Sequence, residues 1–153
     1  MDYGLLLLVH ILAGMAWVGG AIVIQGTLFA ARRSQPPVVV DRVIRSFAWA
    51  DTWLALGAPL VVVITGVAMV LINGAWTFEQ AWILGSIGLV VAYEVIAMTV
   101  GARLYRQIEN ARAQGHLETA GHARTMRAWG RLGAVLLAML VAIVGLMVLK
   151  PWL

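Results

Sequence analysis

The chain has 153 residues, 62% hydrophobic and only 12% charged. Soluble domains average about half and a quarter, so an ordinary soluble globule is excluded, and the length suits a single domain. There is no cysteine, which excludes disulfides, cysteine zinc sites and thiolate-held clusters, and the net charge of +4 sits in two arginine-rich segments that report membrane topology and call for no nucleic acid partner.

The chain opens on "MDYG", acidic rather than basic, and then runs without charge from residue 4 to 31. That run is too long for a signal-peptide core, so the first span is expected to be retained. Residues 52–78 carry no charge, 80–102 carry only Glu94, and 132–149 carry none. A bilayer core about 30 Å thick needs about 20 apolar residues as helix. Four spans are expected, at about 4–31, 52–73, 80–102 and 131–150.

Between the first two spans, "ARRSQPP" is a helix stop followed by two prolines. The next stretch puts Val40, Val43, Ile44, Phe47 and Ala48 on one helical face, with Asp41, Arg42 and Arg45 off it. It predicts an amphipathic helix at the inner membrane surface before span two. Pro59, two residues after Gly57, should kink span two. After span three the sequence "RLYRQIENARAQG" predicts a water-exposed continuation stopped at Gly115. A further helical stretch leads into span four.

Arg32, Arg33, Arg42 and Arg45 lie in the first connection, and Arg103, Arg106, Arg112, Arg124, Arg127 and Arg131 in the second, against Asp41, Asp51, Glu109 and Glu118. Basic connections stay cytoplasmic, so both termini are expected outside, with Lys150 as the one exception. Trp76, Trp82 and Trp152 fall at the expected outer ends, and Trp49, Trp53 and Trp129 at the inner ends, as aromatic belts require. Trp17 lies deep in span one. Spans two and four both begin with Ala-Trp, at Ala48 and Ala128, and both reach a glycine before a Met-Val-Leu run. This weak repeat allows two parallel helical hairpins.

A rise of 1.5 Å per residue puts His10 roughly 9 Å from the outer end, near the level of Thr65, Met69 and Ser86. Trp17 and Glu94 both come out roughly 20 Å deep. His10 and Trp17, seven residues apart, share a helix face on which Gly14 and neighbouring small residues let a flat ligand or a helix come close. A histidine in an apolar span faces the bundle interior. It is either a metal or haem ligand or a neutral ring bonded to Thr65, Ser86 or a carbonyl. With no second intramembrane histidine, a six-coordinate haem would take Met69, Met147 or His10 of a second subunit. Glu94 is either a protonated carboxyl bonded to a carbonyl, a partner of the Trp17 indole, or a proton-relay group. "HLETAGH", with His116, Glu118 and His122, has spacing unsuited to one metal-binding face. The methionines form no Met-x-x-x-Met repeat, although thioether suits copper(I).

The pattern "HILAGMAWVGG", carried by His10, Trp17, Gly19 and Gly20, resembles the opening of a broad group of small bacterial membrane proteins. The group includes CopD-type copper-resistance domains, a related membrane family of unknown function and, more distantly, HemJ-type protoporphyrinogen oxidases. "ITGVAMV" in span two is similar to the group's Thr-Gly region. The HemJ-type likeness implies haem or porphyrin chemistry at His10, though the Leu-Pro-Arg stretch of that type is replaced here by "AIVIQGTLFAARR". The CopD-type likeness implies copper handling. The family of unknown function is nearest in length and layout.

Together these readings give an all-α, integral membrane four-helix bundle in a bacterial cytoplasmic membrane. The bundle is expected to bind b-type haem with His10 as axial ligand and Trp17, Gly14, Met69 and Ser86 around it, Glu94 and Thr65 being the other intramembrane polar groups. The alternatives are an accessory or structural subunit without catalysis, and a copper-handling protein. Beyond the bilayer, the partners expected are a second copy of the chain or a larger membrane complex. The sequence names no reaction.

Overall fold

A computed structural model describes residues 2–150, apart from the side chains at 48, 51, 52 and 55. Trp152, Ala48 and Asp51 therefore lie outside the described residues or side chains. The described chain is helical with short connections and contains no strand. Six α-helices follow in order: α1 (Tyr3–Ser34), α2 (Pro37–Thr52), α3 (Ala58–Asn73), α4 (Ala81–Ile96), α5 (Ala102–Ala113) and α6 (Ala120–Leu149). Two π-helical turns, Trp53–Gly57 and Ala97–Gly101, join α2 to α3 and α4 to α5.

Local chemistry sets the helix ends. The Asp2 carboxylate accepts from the Gly4 N–H at 3.2 Å and caps α1. Arg32 and Arg33 occupy its last turn, where the helix dipole favours cations, and the prolines then stop it. Thr119 caps α6 by accepting from the His122 N–H. Gly115, at φ 70°, turns the chain after α5 in the left-handed region that glycine adopts without strain. The kink expected at Pro59 is met by the π turn just before it. Proline lacks an N–H and crowds the carbonyl four residues back, and a wider turn relieves both.

Among the described residues, three helical stretches are long and apolar enough to cross a membrane: Tyr3–Ser34, Ala81–Ala113 and Ala120–Leu149. The second expected span is built differently. Its α3 is a shorter apolar helix of 16 residues, a rise of roughly 24 Å, extended toward α2 by the π turn. Leu12, Met15, Leu60, Val91 and Val141 stay exposed on the outside of these helices, an arrangement suited to lipid.

α1 packs along α3, α4 packs along α6, and α1 also meets α2 and α6. Two apolar clusters result. One holds Trp17, Val62, Val90, Tyr93, Leu140 and Ile143 between the apolar helices. The other joins Ile24 and Leu28 of α1, Val40 and Ile44 of α2, Ile108 of α5 and Met126 of α6. The apolar face expected for α2 is thus covered by protein, with Val43 and Phe47 packed at its edge. α5 is not simply water-exposed, because Ile108 is fully buried. Asp41, placed off the apolar face by the sequence pattern, is 4% exposed. Its Oδ1 accepts from Arg112 Nε at 2.8 Å and pairs with Arg112 Nη2 at 2.7 Å. This pair ties α2 to α5, and Arg112 also pairs with Glu109.

Adjacent glycines of the first-span motif have opposite surroundings. A Cβ on Gly20 would collide with the forked end of Leu54, while one on Gly19 would meet nothing within 4 Å. Gly20→Val should therefore cost about 1–3 kcal/mol through overpacking. Gly19→Ala should stay within about 0.5 kcal/mol of the parent. Thermal unfolding of both variants in detergent checks the contrast.

Candidate functional site

The start of α1, the 74–80 connection and the end of α6 lie together at one end of the molecule, here called the terminal end. A cavity of about 690 Å³ lies between α1, α3, α4 and α6 and reaches this end, a size typical of small-molecule and cofactor sites. His10, Gly14 and Trp17 from α1, Met69 from α3, Ser86 from α4 and Met147 from α6 all line it. Five of these are the residues the sequence grouped as a cofactor site, and Met147 was the alternative thioether. Thr65 stands behind the lining, and Glu94 is not part of it.

The His10 ring is held from behind by α3. Its Nδ1 lies 3.0 Å from Thr65 Oγ1. The Thr65 hydroxyl has one proton, and it donates to the backbone carbonyl of Val61 at 2.6 Å, with Val62 O at 3.2 Å. With that proton assigned to Val61 O, the Thr65 oxygen accepts from His10 Nδ1–H. That assignment leaves the lone pair on Nε2, the nitrogen on the far side of the ring. Gly66 lets the ring lie against α3, since a Cβ there would come 3.3 Å from His10 Cε1. The Thr-Gly pair of span two is thus the seat of the imidazole. A hydrogen bond at one ring nitrogen that orients the other is how proteins prepare metal-ligating histidines.

Other features of the lining fit a flat, mostly apolar ligand. Gly14 has no neighbour within 4 Å of a Cβ position, so the wall above it is open. The indole nitrogens of Trp17 and Trp82 are buried and have no hydrogen-bond partner among the described residues. Both tryptophans line the cavity. Ser86 Oγ donates to Trp82 O at 2.7 Å and keeps its lone pairs.

The expected meeting of Trp17 with Glu94 does not occur. Trp17 is 3% exposed and packs edge-to-face on Tyr93, with ring centroids 5.0 Å apart. Trp17 Nε1 and Glu94 Oε1 are both buried, and neither is hydrogen-bonded to the other or to any described group. Trp17 meets the residue just before Glu94, but neighbouring residues on a helix point about 100° apart, and it is Tyr93 that faces α1. No group of three or more His, Asp or Glu side chains that could hold a metal occurs among the described residues. His122 is buried at the basic end, while His116 and Glu118 are exposed.

Residues 4–151 match a family model described as a predicted integral membrane protein, DUF2269. The chain belongs to this family. The match covers all four apolar stretches and bears out the expectation of a membrane family of unknown function. No curated protein and no solved structure matches this DUF2269 member. The CopD-type and HemJ-type likenesses rest on the short motifs that now fall on the cavity and the α1–α3 contact.

The sequence missed two features of the site. Trp82 and Lys150, read as a belt residue and a topological exception, both line the cavity. Their chemistry was visible in the sequence, but the convergence of the 74–80 connection with the end of α6 was not.

Proposed function

We propose that this DUF2269 member is a four-span protein of a bacterial cytoplasmic membrane that holds a b-type haem in the terminal-end cavity, with His10 Nε2 as the axial ligand. The observation that carries this reading is the Thr65-held imidazole on the wall of a cavity sized for a cofactor. Haem when bound would supply one-electron chemistry. The chain's own part is to orient the imidazole through Thr65 and Gly66, leave room over Gly14, and exclude water with apolar walls. Met69 and Met147 offer a thioether on the same cavity. The spans are α1, α3 with its preceding π turn, α4 and α6, packed as the hairpins α1–α3 and α4–α6. The arginine-rich connections put the basic end in the cytoplasm and the terminal end outside.

The combination of His10, Met69 and Met147 also suits a soft metal ion, so copper(I) handling is the second reading. A non-catalytic accessory subunit is the third, since the Thr65 bond alone would satisfy Nδ1.

Visible spectra of the purified protein, expressed with haem precursor and recorded oxidised and dithionite-reduced, test the proposal. The parent should show a Soret band and sharp reduced bands. His10→Ala should lose them while remaining folded, and Thr65→Val should bind haem about 10- to 100-fold more weakly. A folded, colourless parent that takes up no added haem overturns the haem reading. Copper(I) uptake by that sample would favour the second reading, and uptake of neither would leave the third.

A further inference from the structure

We propose that Lys150 is the anion-binding residue of the terminal-end cavity, selecting a ligand whose apolar body ends in a carboxylate. The proposal rests on the haem reading and names which edge of the ligand the protein recognises. Lys150 is the chain's only lysine and follows the uncharged run 132–149. It is the base that breaks the charge asymmetry between the two ends.

The local backbone puts it where it is. Lys150 has φ 42° and ψ 55°, the only positive φ of any non-glycine residue described. Its N–H closes α6 on Leu146 O at 3.0 Å. A left-handed conformation outside glycine is unfavourable and persists where tertiary contacts hold it. The contacts here are aromatic. Lys150 Nζ lies 3.9 Å from the centroid of Trp76 and 5.6 Å from that of Trp82. The two indoles meet edge-to-face, with centroids 4.8 Å apart.

Three features point from this stack to an anion. Lys150 lines the cavity at the terminal end with Tyr3, Trp76 and Phe78. No carboxylate among the described residues pairs with it. Ring faces attract the ammonium but accept few of its three N–H donors. The remaining Lys150 donors are left for an acceptor. The rest of the cavity is mostly apolar. An apolar ligand with a carboxylate edge supplies the oxyanion at the terminal end and its body within.

The test uses full-length protein and iron-free protoporphyrin, which has two carboxylates and makes no bond to His10 through a metal. Binding is read by tryptophan quenching, beside the dimethyl ester of the same porphyrin. The parent should prefer the free acid about tenfold. Lys150→Gln should bind acid and ester alike, Lys150→Arg should restore the preference, and His10→Ala should leave it intact. Equal binding of acid and ester by the parent, or an unchanged preference in Lys150→Gln, overturns the role of Lys150 and leaves the haem reading standing. Failure of the parent to bind either porphyrin overturns the carboxylate-ligand proposal, while the haem reading stands or falls on the haem spectra. Displacement of the acid by phosphatidylglycerol but not by phosphatidylcholine would assign the oxyanion to a lipid headgroup and overturn the carboxylate ligand.

Discussion

Gly14→Leu should abolish haem uptake and at the same time leave the protein as stable as the parent or slightly more so. Glycine in a helix interior is less favourable than alanine or leucine by about 0.8–1 kcal/mol. Close packing commonly requires such a glycine, but nothing lies within 4 Å of a Cβ at this position. The open space belongs to the cavity, one helical turn from His10. A leucine there fills the wall against which a flat ligand would rest, without displacing any protein atom that touches Gly14 now. The Soret absorbance of the variant and its thermal unfolding in detergent should therefore move apart: absorbance lost, unfolding temperature retained or raised. Full haem binding by Gly14→Leu would mean that the cavity above Gly14 is not the ligand's place. Loss of both together would mean that the site packs against something at this position.

Asp41→Leu should destabilise the protein by about 3 kcal/mol, the cost of breaking a buried ion pair. The carboxylate is almost fully buried, and Arg112 directs two of its nitrogens at one oxygen. Removing the acid leaves the guanidinium with Glu109 alone, in a site that still excludes most water. Asp41→Leu combined with Arg112→Met should recover most of the loss, because a buried pair and an apolar replacement of similar volume are close in free energy. Arg45→Gln is the control. Arg45 is 56% exposed and pairs with Asp41 within one helix at 3.4 Å, a contact worth about 0.3–0.5 kcal/mol. For a chain of this length the loss of about 3 kcal/mol corresponds to a drop of roughly 6–12 °C in unfolding temperature. A single Asp41→Leu variant that unfolds with the parent would show that α2 is held by its apolar face alone.

Membrane embedding and helical class were legible in this sequence because both follow from one-dimensional properties. An uncharged apolar run of about 20 residues matches the thickness of a bilayer, and in lipid only a helix or a closed barrel satisfies its backbone. The proline, glycine and capping signals mark where such helices stop. Relative level along the helices was legible for the same reason. A fixed rise per residue put His10, Met69 and Ser86 at one level, and the structure brings all three to one cavity. The tertiary structure decided everything that depends on rotation about a helix axis or on the meeting of distant segments. It turned Tyr93, not Glu94, toward Trp17. It buried Asp41 because the residue that pairs with it lies 71 positions away. It laid Lys150 over Trp76 and Trp82 at the terminal end. An apolar helix has little amphipathic signal to say which side faces lipid and which faces protein. The sequence therefore determined which segments are apolar helices suited to a membrane and which groups stand at like levels along them, while packing alone determined which groups share a site.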